Sequence, residues 1–140
     1  MNDTGPSCIA DTQGLLEIAQ QRSGNLKKAL LDQLASGVIA VPACSWAEFK
    51  ELYPEEAAEI EPYIAEKIAL RKRTYMAKAG RIADQMNTGF TRGPYDDGND
   101  IHVAAIACVD KITVLTSKDQ ISIFKAMGCT VIDLETWLLL

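Results

Sequence analysis

The sequence predicts one three-layer α/β domain, with a mostly parallel sheet of four to five strands and helices on both faces. Short apolar runs recur at Cys8-Ile9-Ala10, Val38-Ile39-Ala40-Val41, Ile112-Thr113-Val114-Leu115 and Thr130-Val131-Ile132, each too short for a helix. Helical patterns separate them, and strands alternating with helices imply parallel pairing through crossover connections. No repeat, low-complexity tract or linker divides residues 1–140, a length that supports one real core.

The elements follow in order. The first strand stops at Asp11, and Leu15, Leu16, Ile18 and Ala19 then recur at helical spacing. Ser23-Gly24-Asn25 breaks that pattern. Leu26, Ala29, Leu30 and Leu34 form a second amphipathic helix, stopped by Ser36-Gly37. Pro42 closes the second strand, and a helix over residues 44–52 carries Trp46, Glu48 and Phe49. Residues 54–86 read as helical but punctuated. Pro62 opens a new helix there, because proline is tolerated in the first turn and not inside. From it Ile64, Ile68, Tyr75, Ala79, Ile82 and Met86 fall in one narrow sector, a core-facing stripe that Gly80 weakens or breaks. Residues 87–99 form the one long loop. Asp100 opens an almost wholly apolar helix, which such a composition buries. A helix over residues 118–127 leads through Gly128 to the fourth strand, and a short helix follows it.

Composition narrows the function. With 48% hydrophobic and 24% charged residues the chain is an ordinary folded protein, and a net charge of -5 argues against a general nucleic-acid coat while leaving room for a local basic face. Cys8, Cys44, Cys108 and Cys129 make no CxxC pair, and His102 is the single histidine, so a zinc site is not expected. The cysteines, in apolar surroundings, read as reduced, buried small hydrophobes. Met1 to Ser7 lacks the basic start of a signal peptide, and Trp137-Leu138-Leu139-Leu140 is too short to span a bilayer, which makes the cytoplasm the expected location and a membrane role unexpected.

Four acids occupy related positions. Asp11 ends the first strand, Glu48 lies early in the helix after the second, Asp100 opens the buried helix, and Asp119 follows the third strand. In a parallel sheet all four gather at one edge, where ligands bind. Two unit charges about 4 Å apart repel by roughly 4 kcal/mol at an effective dielectric near 20. Such a cluster holds protons or a cation, and oxygen donors without His or Cys suit Mg²⁺ or Mn²⁺. Taken singly, each acid has a plainer reading: Asp100 as a helix N-cap, Glu48 as a solvated helix residue, Asp119 as a helix-start acid. Asp11 is hardest to explain so, because a carboxylate buried beside a strand needs a partner.

The same stretches resemble a known family. Ile9-Ala10-Asp11-Thr12, the segment from Val41 through Ala47-Glu48-Phe49, Asp100-Ile101-His102-Val103-Ala104-Ala105, Val114-Leu115-Thr116-Ser117-Lys118-Asp119 and Gly128-Cys129-Thr130-Val131-Ile132 resemble, in order, the motifs of the PIN domain, the fold of the VapC-like toxin ribonucleases. The resemblance implies Mg²⁺-dependent cleavage of RNA. It makes Asp11, Glu48 and Asp100 the catalytic, metal-binding acids, with Asp119 as the fourth, and gives Thr12 and Thr116 a supporting role through hydrogen bonds. It further implies a small antitoxin protein and a homodimer. The chain departs from the family twice. Gln13 stands where Asn or Ser is common, and Lys118 stands where the fourth acid is usual, one residue before Asp119. Asp97 is an alternative fourth ligand, with Asp96 and Asp97 otherwise ordinary loop acids. A catalytically degenerate PIN-like interaction module is the alternative to an enzyme.

Lys67, Arg71, Lys78 and Arg81 fall at i, i+4, i+11 and i+14. On one continuous helix they form a stripe which, with Arg92, could hold RNA phosphates; a merely solvated face is the plainer alternative. His102 reads as a structural residue before a general acid or base, Tyr75 as core packing before base stacking, and Tyr95 as a stacking candidate. The C-terminal segment from Trp137 is expected to cover the core or join a dimer face.

Overall fold

The computed structural model describes residues 6–65, 67–68, 72–86 and 98–139, with the backbone alone for Met86, Gly98 and Asn99. Five parallel strands, β1 (Cys8–Ala10), β2 (Ile39–Pro42), β3 (Lys67–Ile68), β4 (Thr113–Thr116) and β5 (Val131–Asp133), form one sheet in the order β3-β2-β1-β4-β5. The helices are α1 (Thr12–Ala19), α2 (Gly24–Ser36), α3 (Ala43–Leu52), α4 (Pro54–Ile60), α5 (Arg73–Met86), α6 (Gly98–Asp110), α7 (Ile121–Ala126) and α8 (Leu134–Trp137). Short 3-10 turns at Glu61–Tyr63 and Lys118–Gln120 join some of them.

The pleat divides the apolar residues between two cores. Cys8 and Ala10 point to one face, packed with Leu15, Leu30, Leu34, Phe49 and Ile60 from α1 to α4. Ile9, between them, points to the other, packed with Tyr75, Ile82, Ile106 and Phe124 from α5 to α7. The strands are therefore covered on both faces, as parallel strands with continuous apolar runs require. Ser23 caps α2 by accepting from Leu26 N at 3.3 Å, and Gly37, at φ +84°, ends it in the left-handed conformation a side chain would strain. Trp137 and Leu138 pack on the first core, and the Trp137 indole donates to Gln33 Oε1 at 2.9 Å.

The helix expected from Pro62 onward is not continuous. A 3-10 turn takes Pro62, and Lys67–Ile68 pairs with β2 as the edge strand β3, in register Val41↔Lys67 and Pro42↔Ile68. The apolar stripe breaks with it. Ile64 packs against the first core and Ile68 against the second, on opposite sides of the sheet, which no single helix face can do. The rest of the stripe stands: α5 buries Tyr75, Ala79 and Ile82, and it runs through Gly80 without a break. The side chain of Met86 is outside what is described.

The basic stripe is likewise split. Lys67 lies on β3 with its ammonium 5.7 Å from the Trp46 ring centroid, a placement that also charges the sheet edge. Lys78 and Arg81 lie on α5, beside Asp84 and Gln85. Arg71, Arg92, Tyr95, Asp96 and Asp97 lie outside the described residues. Asp100 is not the N-cap of its helix: α6 begins at Gly98, which puts Asp100 in the first turn. The third strand and the turn after it also shift slightly, so that Thr116 is the last residue of β4 and Asp119 falls in a 3-10 turn and not in an α-helix.

Candidate functional site

Strand order places the site. From β1 the chain moves outward to β2 and β3, then returns to β4 on the other side of β1. Crossovers on opposite faces leave a crevice outside the carboxyl ends of β1 and β4, where an open parallel sheet binds ligands. Asp11 follows β1 and Thr116 ends β4, so both stand at that crevice.

Asp11 is 3% exposed and is the N-cap of α1. Its Oδ1 accepts from Gly14 N at 2.8 Å, and its Oδ2 accepts from the Thr116 hydroxyl, fully buried, at 2.8 Å. A carboxylate oxygen accepts two hydrogen bonds, so each keeps capacity for another ligand. Burial nevertheless pushes the Asp11 carboxyl up to about 7. The Gly14 and Thr116 hydrogen bonds oppose that rise, and the charges of Asp100 and Glu48 add to it.

Glu48 is brought in by α3. The Thr12 hydroxyl, at the start of α1, donates to Glu48 Oε1, which ties the two helices together at the crevice. Asp100 enters from the first turn of α6. Asp11, Thr12, Gln13, Glu48, Leu52, Asp100, Gln120 and Ile123 line one cleft of about 300 Å³. Among the described residues, no three His, Cys, Asp or Glu side chains stand close enough together to hold an ion as placed.

Asp119 is elsewhere. The 3-10 turn sends Gln120 into the acid cleft and Asp119, with Lys118, into a neighbouring cleft of about 700 Å³. Glu17, Asp133 and Glu135 line the latter too. There Lys118 Nζ pairs with Glu135 Oε1 at 2.6 Å, both exposed. Burial, then the nearby Asp133 and Asp119 charges, raises the Glu17 carboxyl above its ordinary value. His102 is half-buried on α6 and lines neither cleft, and Tyr75 is buried with its hydroxyl donating to Asp110 Oδ2 at 2.5 Å.

Gly14 is the residue whose role the sequence hides. A Cβ there would lie 2.3 Å from the Leu115 carbonyl oxygen and 3.3 Å from Asp11 Oδ1. That carbonyl also accepts from Asp11 N at 3.2 Å. The first turn of α1 thus rests directly on β4, an approach only glycine allows. The sequence carries no signal for this, since any residue but proline three positions after the aspartate would offer the same N–H to its carboxylate.

No family model matches the chain, and no curated protein matches it significantly. Solved structures do. One is FitAcB from Neisseria gonorrhoeae, with a TM-score of 0.61 and 22% sequence identity over 89% of this chain and 95% of that one. Another is FitAB bound to an IR36 DNA fragment, with a TM-score of 0.60 and 20% identity over 90% and 94%. The chain has the PIN-domain fold. In that fold the central strand β1, its neighbour β4 and the amino-terminal turns of α1, α3 and α6 meet at one sheet edge, where Asp11, Glu48 and Asp100 share a cleft.

Thr116 offers a direct test of how that edge is tuned. Thr116→Val keeps the shape but removes the hydroxyl that favours ionised Asp11, so the Asp11 carboxyl should titrate higher still. If activity requires ionised Asp11, the acid limb of a pH–rate profile should move to higher pH, and rates below neutrality should drop about tenfold for each unit of the move. An acid limb identical to wild type would show that Thr116 does not tune Asp11.

Proposed function

We propose that the chain is a metal-dependent endoribonuclease that cleaves RNA phosphodiester bonds and is the toxin of a toxin–antitoxin pair. The observation that carries this is Asp11: a buried carboxyl held near neutrality in its titration, facing Glu48 and Asp100 across one cleft at the switch point of a parallel sheet. Such a carboxyl is poised to exchange its proton for a cation.

The donor set fits Mg²⁺ or Mn²⁺ in type. All three acids offer oxygen, Asp11 keeps acceptor capacity on both oxygens, and the mutual repulsion of the acids would be relieved by positive charge. Asp11, Glu48 and Asp100 would hold the ion; Asp119, turned into the neighbouring cleft, does not join them as placed. When bound, the ion would supply a hydroxide-like water at neutral pH and charge neutralisation at the scissile phosphate. The chain's own residues do the positioning. Gly14 N–H and the Thr116 hydroxyl fix the two oxygens of Asp11, and the Thr12 hydroxyl aims Glu48. Lys78 and Arg81 on α5, with Lys67 on β3 and Arg71 and Arg92, would contact phosphates of the RNA and confer a salt-dependent affinity.

The paired components in FitAB and FitAcB support a second protein, an antitoxin, as partner, and in FitAB bound to IR36 it is the complex that meets DNA. A homodimer and a cytoplasmic setting belong to the same reading. A degenerate PIN-like interaction module is the second reading. Lys118 in the place of the usual acid, Asp119 in the neighbouring cleft, and the spacing of the acids favour it.

Calorimetric titration with Mn²⁺ separates the two. The nuclease should bind Mn²⁺ with proton release that is largest near pH 6 and fades above about pH 8, as ionised Asp11 takes over from its protonated form, and it should cut RNA with Mg²⁺ until a chelator is added. No saturable Mn²⁺ binding, together with intact RNA at high protein concentration, would leave the interaction module standing.

A further inference from the structure

The amino ends of the strands, opposite the acid cleft, bring two thiols together. Cys108 lies near the end of α6, and Cys129 lies in the turn between α7 and β5. Their sulfurs are 3.9 Å apart, although 21 positions separate them in sequence. Cys108 Sγ faces the carbonyls of Met127 at 3.8 Å and Gly128 at 3.7 Å, and Cys129 Sγ faces that of Ala104 at 3.8 Å. Gly128, at φ +90°, shapes the turn that presents Cys129, and even a Cβ on it would come only to 4.0 Å from Cys108 Sγ. Both cysteines and Lys111 line a cavity of about 190 Å³. Cys108 is half-buried and Cys129 is 9% exposed, so one thiol is reachable and the other waits behind it.

We propose that Cys108 and Cys129 are a reversible modification site, closing to an intramolecular disulfide by exchange with a small-molecule disulfide such as oxidised glutathione. Cys108, as thiolate, attacks one sulfur of the reagent, forming a protein–glutathione bond and expelling one glutathione thiolate, which takes up a proton. Cys129 then loses its proton to solvent and attacks Cys108 Sγ, breaking the mixed disulfide and expelling the second glutathione. The protein gives up two electrons and two hydrogens, and the reagent is reduced to two thiols. The sulfurs need approach by only about 2 Å to reach bonding distance. The more accessible partner, Cys108, is the attacking one because access decides which thiol meets the reagent. Burial pushes the Cys129 thiol up to about 12, which keeps it from initiating; its place 3.9 Å from Cys108 Sγ makes it the resolving partner once the mixed disulfide stands. The bond would tie the far end of α6, the helix that carries Asp100, to the approach of β5.

The test is incubation of the intact protein with oxidised glutathione, alkylation of remaining thiols, and tryptic mapping without reduction. Closure predicts a loss of two hydrogens in intact mass and one linked pair, residues 93–111 joined to the peptide that begins at Ala126. Dithiothreitol should reverse it. Cys129→Ser should stop at a glutathione adduct on Cys108, and Cys108→Ser should stay largely unmodified at Cys129. A stable adduct on wild-type Cys108 without closure, a bridge between any other pair, or four fully alkylated thiols would each overturn the proposal. The wild-type map decides by itself if either serine variant folds poorly.

Discussion

Asp11→Asn is expected to abolish metal-dependent RNA cleavage while leaving the protein as stable as wild type or more so. Even partners one step removed from a metal typically cost 10- to 100-fold when changed, so if Asp11 is the central ligand, as proposed, its loss should cost at least about 100-fold. Stability should move the other way. Asp11 titrates at about 7 in the fold against an ordinary 3.8, so the folded state holds a proton that the unfolded chain has already released. Below about pH 4 both states are protonated, and the group contributes nothing. Between about pH 4 and 7 stability falls as pH rises, and above about 7 the full penalty is present, at most roughly 4 kcal/mol for a shift of about three units. Asparagine carries no such penalty and can still accept from Gly14 N. The Tm of the variant, minus that of wild type, should therefore grow from pH 4 to 7 and level off above it. Mn²⁺ should narrow the difference by stabilising wild type alone. A variant less stable than wild type at pH 8 would sink the account of Asp11 as a strained carboxylate; cleavage at the wild-type rate would sink its role in the site.

Gly14→Ala should damage both fold and activity through one contact. The added methyl would stand 2.3 Å from the Leu115 carbonyl oxygen, and neither side can give way cheaply. Moving β4 disturbs its register with β1, in which Ala10 pairs with Leu115, and moving α1 withdraws Gly14 N from Asp11 Oδ1. Alanine brings up to about 1 kcal/mol of helix propensity. Overpacking of this kind costs about 1–3 kcal/mol, so the net change should be destabilising. Gly80→Ala is the matched control. It lies inside α5 with nothing within 4 Å of an added Cβ, and should gain up to about 1 kcal/mol. Paired denaturant melts check this. A Gly14→Ala protein as stable as the Gly80→Ala protein would mean that α1 does not rest on β4 as described.

These two residues mark how far the sequence could be read. The place of Asp11 in the cleft was legible because the residue after a strand's carboxyl end in a parallel sheet faces the crevice whatever surrounds it, and those of Glu48 and Asp100 because early helix turns open on the same edge. Gly14 stood in the same stretch with no visible role, because its role is an approach to Leu115, a residue 101 positions away. Asp119 shows the opposite case. It follows the third strand by a few residues and was grouped with the other acids, yet one 3-10 turn gives the cleft to Gln120 and turns Asp119 to the next one. A shift of one residue in a tight turn changes which side chain faces the ligand, and no periodicity records it.

The apolar runs and their alternation with helical patterns determined the architecture on their own, since burial on two faces is demanded by composition and spacing alone. The edge strand β3 was decided elsewhere. Two residues carry too little pattern to announce a strand, and Lys67 and Ile68 become one only because β2 offers an open edge. The same holds for the meeting of Cys108 with Cys129 and for the titration of Asp11. Contact between distant residues, and the field and exclusion of water at a buried carboxyl, exist only once the helices have closed on both faces of the sheet.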